Sequence, residues 1–277
     1  MRKADEVIRH GVKAIASGLP ERRNTMLSKA KTLKGYKLQG LDGEIGTVKE
    51  FYFDDHRWTV RYLVADTGNW LTGQMVLISP YALNRINQAE KHIMVDLTKK
   101  QIENSPSLES HKPVSQQFET DYYGYYGWPP YWNGSSAWGD TAHLERDRDK
   151  WVKSSAKGKP WDRHLRSTHE VSGYYIQALD GEIGHVEDFV IDDETWAIRY
   201  LVAGTKNWWP GKQVLISTSW IDRVSWTDSK VFINLTREGI QGSPPFTEDT
   251  LLSRDVEMGL HRHYRREGYW VEKRSLV

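Results

Sequence analysis

Two pairs of acidic residues are the first candidates for catalysis in this chain of 277 residues. Asp42 and Glu44 lie two positions apart, and Asp180 and Glu182 repeat that spacing. A glycosidase needs two carboxyl groups roughly 5–10 Å apart to divide the acid and base roles. In both places, however, the aspartate precedes a glycine, and tight hairpin turns require Asp-Gly for conformational reasons alone. The spacing therefore predicts exposed turn residues rather than a catalytic pair.

Histidines beside acidic residues are the candidates for a metal site. The sequence Asp-Asp-His at 54–56 could offer oxygen and imidazole ligands, but the equivalent sequence at 192–194 is Asp-Asp-Glu. His261 and His263 would share one face of a strand, whereas in a helix they point about 200° apart. Since we expect a helix there, we predict no metal and no other cofactor.

Two arginines lie inside the most apolar strands that the sequence predicts. Arg61 and Arg199 are each followed by Tyr-Leu-Val-Ala. A guanidinium in such a strand normally needs a carboxylate or an aromatic face. Asp54 and Asp192 are the expected partners across the preceding hairpin, so structural pairing is favoured over ligand binding.

The stretch 122–132 contains seven aromatic residues among eleven positions. It could stack single-stranded bases or bind a partner peptide. The competing interpretation, which we favour, is that half of these rings hold a closing helix on a barrel and the rest form the contact between two repeats, because a large exposed patch favours aggregation. With their counterparts near the C-terminus, the candidate partner surface comprises Tyr122, Tyr125, Tyr126, Trp128, Tyr131, Trp132, Tyr264, Tyr269 and Trp270.

The elements that carry these residues occur twice. The sequence from Gly35 to Pro106 returns from Gly173 to Pro244 at an offset of 138 positions, without insertion. A repeat of roughly 100 residues can bury a core by itself, unlike the short repeats of solenoids. We therefore expect a basic flexible leader at 1–30, one repeat at 31–132, a polar mobile linker at 133–168 and a second repeat at 169–272.

Within each repeat the pattern predicts short strands followed by one helix. The hairpin and a close backbone approach are expected at Asp42, Gly43, Gly46, Asp180, Gly181 and Gly184. The run 45–53 breaks its alternation once, which indicates a bulge that curves the strand. Five or six strands in about 65 residues are typical of a small β-barrel. Phe118, Tyr122 and Tyr126 then follow at helical spacing, with Ser115 as the N-cap.

Composition excludes several functional classes. The formal net charge is +1, which gives no overall field for attracting nucleic acid. The chain has no cysteine, so thiol catalysis and disulfides are excluded. No apolar run approaches the roughly 20 residues of a membrane span, and we expect a cytoplasmic protein. Nucleotide-binding, acyl-transfer and zinc-protease motifs do not occur, which favours a protein that is not an enzyme.

The run GYKLQGLDGEIGTVKEFYFDDHRWTVRYLVADTGNWLTGQMVLIS, its second copy and the tail NSP…YYGWPPYW resemble the PRC-barrel family. That family includes the cytoplasmic part of the photosynthetic reaction centre H subunit and the C-terminal half of a ribosome-maturation factor. The resemblance implies two small β-barrels in tandem, each closed by a short C-terminal helix. It also implies an interaction module rather than an enzyme. The H subunit has a membrane helix before its barrel and the ribosome factor has another N-terminal domain, so the resemblance implies the fold more firmly than the partner.

The leading hypothesis is a non-enzymatic docking or assembly module whose protein partner the sequence does not identify. An RNA- or ribosome-associated module is the first alternative, although the charge balance argues against nucleic acid. An accessory protein at the periphery of a photosynthetic or other membrane electron-transfer complex is the second. We also expect the two repeats to pack as an internal pseudo-dimer, with the aromatic tails near their junction, since tethering gives a high effective concentration.

Overall fold

The computed structural model describes residues 26–71, 73–107, 114–151, 165–205, 212–248 and 250–271. Within these residues the protein is mainly β, and two seven-stranded sheets follow the two sequence repeats. Buried apolar side chains from both repeats form one continuous core. Residues 1–25, which make up most of the predicted leader, lie outside the described residues.

The elements follow the same order in each repeat. The first repeat contains β1 (Leu27–Lys29), α1 (Ala30–Leu33), β2 (Lys37–Gly40), β3 (Gly43–Asp54), β4 (Thr59–Asp66), β5 (Met75–Ile78), β6 (Leu83–Asn87), β7 (His92–Val95), α2 (Lys99–Glu103) and α3 (Gln116–Tyr126). The second repeat contains β8 (Leu165–Ser167), α4 (Thr168–Val171), β9 (Tyr175–Ala178), β10 (Gly181–Asp192), β11 (Ile198–Gly204), β12 (Gln213–Ser217), β13 (Ile221–Ser225), β14 (Lys230–Ile233), α5 (Arg237–Gln241) and α6 (Arg254–His263).

Each sheet is built around one long, bent strand. The first sheet has the order β5-β4-β3-β2-β7-β6, and the second has the equivalent order β12-β11-β10-β9-β14-β13. Strand β3 changes register with β4 between Val48 and Glu50 and again between Tyr52 and Phe53. Such bulges bend a strand and increase its twist. The predicted bulge in this run is therefore confirmed, and the sheet can curl around its core.

The hairpin between β2 and β3 differs in detail from the prediction. Because Gly40 pairs with Gly43, the two loop residues are Leu41 and Asp42 rather than Asp42 and Gly43. Gly43 still has a φ of +138°, a conformation that favours glycine. The carboxylate of Asp42 also accepts a hydrogen bond from the backbone N–H of Lys99 at 2.8 Å, and so holds the start of α2 against the hairpin.

The close backbone approach predicted at Gly46 is present. Gly46 has a φ of +151°, and a Cβ built there would lie 2.9 Å from the Cα of Thr67 and closer still to the carbonyl oxygen of Asp66. Gly184 occupies the equivalent position, with a φ of +144° and the carbonyl of Gly204 as its close neighbour. Only glycine permits β3 and β10 to pass so near the following strand.

The two repeats are joined by reciprocal strand pairing. Strand β1 of the first repeat pairs with β10 of the second, and β8, its equivalent, pairs with β3 of the first. Between them, the N–H of Val60 donates to Trp196 O at 2.8 Å, and the N–H of Ile198 donates to Trp58 O at 2.6 Å. All of these partners are related by the offset of 138, so the body has an approximate two-fold axis at Thr59 and Ala197, which face each other.

The predicted contact between the halves is therefore present, but the aromatic tails do not form most of it. The aromatic rings that meet between the two repeats belong to the long strands and to the turn that precedes β11. Phe53 lies 5.8 Å from Phe189, and Phe51 lies 6.4 Å from Trp196. The described rings of the tails pack mainly on their own repeat, although the first tail reaches the junction, where Arg57, beside Trp58, donates from Nη1 to Tyr131 O at 3.3 Å. Trp138 crosses to the other half, with its indole N–H donating to Thr195 O at 2.9 Å.

The predicted leader and linker also contribute to the folded body. Strands β1 and β8 begin at Leu27 and Leu165, inside the segments assigned to the leader and the linker. Residues 133–151, predicted to be mobile, pack on the first repeat, where Trp138 and Leu144 are buried. These short elements escape sequence analysis because three-residue strands carry no periodicity and gain their partners only from the other repeat.

Candidate functional site

Each repeat contains an arginine–aspartate pair that joins the end of its long strand to the following strand, and the arginine is fully buried in the first repeat and partly exposed in the second. Arg61 is fully buried and donates from Nη2 to Asp54 Oδ2 at 2.9 Å. In the second repeat Arg199 Nη2 lies 2.5 Å from Asp192 Oδ2. The guanidinium of Arg61 also lies 3.9 Å from the ring centroid of Tyr131. The predicted structural pairing is confirmed in both copies.

A buried glutamate connects each closing helix to its barrel. Glu119 of α3 is fully buried and accepts hydrogen bonds from Tyr62 at 3.0 Å and Tyr131 at 2.6 Å. Glu257 of α6 accepts the equivalent two tyrosine bonds, each at 2.9 Å. Burial, followed by the charge of Glu119, raises the pKa of both first-repeat tyrosines well above the usual value, so their hydroxyls remain donors. We call these groups the glutamate–tyrosine networks.

Neither glutamate stands out in the sequence by residue type or local spacing. The available signal was the duplication itself, because Glu119 and Glu257 are separated by the same offset of 138 inside the two predicted helices. A charged residue that recurs at the same position of both closing helices is a candidate for a buried hydrogen-bond network rather than a solvated surface.

The two histidines of α6 do not converge. His261 occupies the position of Tyr123 in the other repeat, and its Nε2 lies 3.1 Å from the hydroxyl of Tyr200. Burial lowers the pKa of His261, which favours the neutral imidazole. His263 instead points to the carbonyl of Gly239 at 2.8 Å. Within the described residues, no group of three or more acidic or histidine side chains could hold a metal ion.

The candidate acidic residues serve local structure. Glu44 forms an exposed ion pair with Lys37 at 3.0 Å, and its equivalent Glu182 lies near a lysine of β14 at 3.8 Å. Asp54 accepts the backbone N–H of His56 at 2.9 Å, which is the polar turn expected for this sequence. These contacts account for the acidic pairs without assigning them a reaction.

The residues of the candidate partner surface are largely inside the protein. Tyr122, Tyr126, Trp128 and Tyr131 are buried, so they cannot present an open surface in this structure. Tyr125 is 43% exposed. The remaining members are half-buried, namely Trp132, Tyr264, Tyr269 and Trp270. The favoured interpretation, in which these rings hold the closing helix on the barrel, agrees with this placement.

A cavity of about 520 Å³ opens beside these rings in the first repeat. We call it the aromatic pocket, and its main lining side chains are Tyr81, Tyr125, Tyr126, Trp128, Trp151 and Arg148. Arg146 adds a second guanidinium, and Asp96 lines the pocket as well. The volume lies in the range of roughly 300–1,000 Å³ that ligand sites occupy, and the lining combines five aromatic side chains with charged and amide groups.

Stacking fixes the walls of the aromatic pocket. The rings of Trp128 and Tyr126 stack at 4.3 Å, and Tyr81 stacks on the other side of the cluster at 5.9 Å from Trp128. Trp151 meets Tyr81 edge to face at 6.0 Å. Its indole N–H donates to Glu145 O at 2.8 Å, which orients the ring at the outer wall. The pocket is therefore lined by side chains that already have defined positions.

The second repeat packs the equivalent region differently. Trp220 replaces Ala82 there, is buried, and lies 4.7 Å from Tyr264, the equivalent of Tyr126. In the first repeat the corresponding stacking partner is Trp128, which comes from the tail rather than from the sheet. The outer wall comes from residues 146–151, which join the two repeats and occur once. The aromatic pocket is consequently a property of the first repeat.

No helix among the described residues has the length and apolar character needed to cross a membrane. Comparison with curated proteins finds no match. The PRC-barrel domain matches the chain twice, over residues 27–102 and 166–239, which together make up more than half of its length. The first match begins at β1 and the second one residue into β8, so both include the exchanged strands. With two such matches on two equivalent sheets, the chain belongs to the PRC-barrel domain family.

Proposed function

We propose that this protein is a non-enzymatic docking module that binds a protein partner on the face of the first repeat that contains the aromatic pocket. The observation that supports this proposal is the asymmetry of an otherwise symmetric body. The duplicated residues maintain the fold in both halves, but the cavities differ: the pocket of about 520 Å³ in the first repeat is lined by five aromatic side chains and two arginines, whereas the described cavity of about 510 Å³ in the second repeat has one aromatic side chain, Phe232, and one arginine, Arg223.

The buried polar groups support a structural role for the two cores. The Arg61–Asp54 pair and the Glu119 network use their donors and acceptors within the repeat, and equivalent groups do the same in the second copy. Both Nη atoms of the buried Arg61 are hydrogen-bonded, its Nε has no such bond among the described residues, and bonded networks of this kind help to hold a fold in a single arrangement. The reciprocal strands then fix the two repeats as one platform for a partner.

Two other partner classes remain as outcomes of the test. PRC-barrel domains occur in interaction and assembly modules, and the family resemblance extends to a ribosome-maturation factor and a reaction centre subunit. The net charge of +1 gives no general attraction to RNA. We therefore place protein first, RNA second, and a peripheral contact with a membrane complex third.

The proposal can be tested with a site-specific crosslinker. Tyr125, on the rim of the pocket, is replaced by p-benzoylphenylalanine, and His263, its exposed equivalent in the second repeat, receives the same group as the matched control. Both proteins are irradiated in extracts of the source cell. We expect a protein adduct from position 125 that survives ribonuclease and detergent, and no such adduct from position 263.

Three results would contradict the proposal. An adduct that disappears after ribonuclease treatment would assign the surface to RNA. An adduct found only in intact membranes would support the membrane alternative. Identical adducts from positions 125 and 263 would show that the aromatic pocket does not direct docking.

A further inference from the structure

We propose that the aromatic pocket binds an aromatic ring that carries a neighbouring carboxylate, supplied by the protein partner as an aromatic residue beside an acidic side chain or a chain terminus. This inference rests on the proposed docking function and specifies its chemistry. A cavity of about 520 Å³ has room for one aromatic side chain and the adjoining backbone.

The aromatic part of the ligand is indicated by the lining of the pocket. Five aromatic side chains line it, and Tyr125 at its rim is 43% exposed. The hydroxyl of Tyr125 donates to Gln101 O at 3.0 Å, so the phenol is anchored at its polar end. Aromatic pairs are stabilised by offset or edge-to-face contacts beyond the area that they bury. A planar ring that enters the pocket would meet several partners of this kind.

The anionic part is indicated by the arginines of the outer wall. The guanidinium of Arg148 lies 5.6 Å from the ring centroid of Trp151, and among the described residues Arg148 forms no ion pair. Arg146 lines the same cavity. Arginine binds carboxylates through parallel N–H donors, and such charge-assisted hydrogen bonds are stronger than neutral ones. One carboxylate beside the ring would therefore complete this wall.

The surrounding charges favour a single carboxylate over a polyanion. In the segment that carries both arginines, Glu145, Asp147 and Asp149 alternate with them. Asp96 contributes another negative charge to the lining. Because these four acidic groups outnumber the two arginines, the site has no summed positive charge for a phosphate backbone, and a single carboxylate is favoured only where it contacts the guanidinium of Arg148 directly. A peptide instead provides one localised anion and backbone N–H donors, which Asp96 can accept.

The test is a titration of the purified full-length protein, followed by calorimetry and ligand-observed NMR. The probes are N-acetylphenylalanine and the dipeptide N-acetyl-Phe-Glu-amide, which place the carboxylate at a chain end or on a side chain. The controls are N-acetylphenylalanine amide, N-acetylalanine and uridine monophosphate. We expect at least one carboxylate probe to bind, and we expect loss of the carboxylate or of the ring to weaken binding by about tenfold or more.

The variant Arg148→Gln, at an exposed position, should weaken the carboxylate probes by about tenfold while leaving the amide unchanged. Its matched control is Arg223→Gln, which removes another arginine stacked on an aromatic ring, 3.5 Å from the centroid of Phe232 in the second repeat. Because Arg223 and Phe232 line a separate cavity of about 510 Å³, this control also shows whether the probes bind there instead. That control should bind like the wild type.

Equal binding of the acid and the amide, an unchanged affinity in Arg148→Gln, or tighter binding of the nucleotide would each overturn the inference. If these titrations fail while the crosslink from position 125 persists, docking at this face stands and the ligand chemistry proposed here is wrong. If the probes bind but no crosslink forms, the pocket takes a free aromatic acid and the docking proposal is wrong.

Discussion

Replacing Gly46 by alanine tests the close approach that shapes each barrel. Gly35→Ala is a matched control, because both glycines have a positive φ, +151° at Gly46 and +83° at Gly35. A Cβ at Gly35 would meet no atom within 4 Å, whereas at Gly46 it would lie 2.9 Å from the Cα of Thr67 and nearer to the carbonyl oxygen of Asp66. Both variants therefore place an alanine at positive φ, and only Gly46→Ala adds a steric collision with backbone atoms of the next strand.

The expected costs follow from these contacts. Strain at positive φ costs an L-residue about 1–3 kcal/mol, and alanine regains about 0.4–1 kcal/mol by restricting the unfolded chain. Gly35→Ala should thus lower the free energy of unfolding by about 1–2 kcal/mol. Overpacking against backbone atoms, which cannot rotate away, adds about 1–3 kcal/mol. For Gly46→Ala we expect a total of about 2–5 kcal/mol.

Urea denaturation monitored by far-UV circular dichroism measures both values on the same protein. A difference of about 2 kcal/mol between the variants corresponds to about 4–8 °C in the melting temperature of a chain of this size. Equal losses of stability in the two variants would refute the reasoning, because they would show that β3 and β4 do not approach as closely as the structure indicates.

Three further perturbations test the junction and the networks. Burial raises the pKa of Asp193 to about 6, so the contribution of Asp193 to stability falls as the pH rises from about 4 through 6. The variant Asp193→Asn keeps the acceptor for the N–H of Met26 and should remove this pH dependence in thermal melts recorded between pH 4 and 7. Glu119→Gln should lower the free energy of unfolding by about 2–4 kcal/mol in urea, since it removes charge-assisted bonds and buries an amide N–H₂ without a partner; a loss below 1 kcal/mol would contradict the network. Residues 26–151 alone should form homodimers in analytical ultracentrifugation, because the exchanged strand β1 can pair with a second copy. When mixed with residues 165–271, they should form heterodimers. If both fragments are stable monomers, the exchanged strands do not hold the two repeats together.

The sequence predicted the parts of the fold that depend on local pattern. The duplication predicted two units, the apolar pattern around Arg61 predicted strand β4, and Ser115 predicted the start of α3, whereas β3 rather than β4 lies at the centre of the sheet. The partnership of Arg61 with Asp54 also followed, because a guanidinium inside an apolar strand requires a nearby carboxylate. Each of these inferences needed only residue type and spacing.

The remaining features depend on contacts between distant segments. Three-residue strands such as Leu27–Lys29 have no pattern of their own, and their partners lie in the other repeat. The polar composition of 133–151 suggested a mobile linker, yet buried Trp138 holds that segment to the body. The aromatic pocket arises from this return of the chain together with Ala82, where the second repeat has Trp220. The effect of having alanine at 82 and tryptophan at 220 follows only from how the surrounding side chains pack.

The central claim is that docking and ligand binding use the same pocket. The measurement is the yield of the protein adduct from p-benzoylphenylalanine at position 125, determined with increasing N-acetylphenylalanine. We predict that the adduct decreases as the pocket fills, with the midpoint at the dissociation constant found by calorimetry on the same substituted protein, and that N-acetylphenylalanine amide has little effect. An adduct whose yield does not change when the probe saturates the protein would contradict the claim that the partner enters the aromatic pocket through an aromatic ring and its carboxylate.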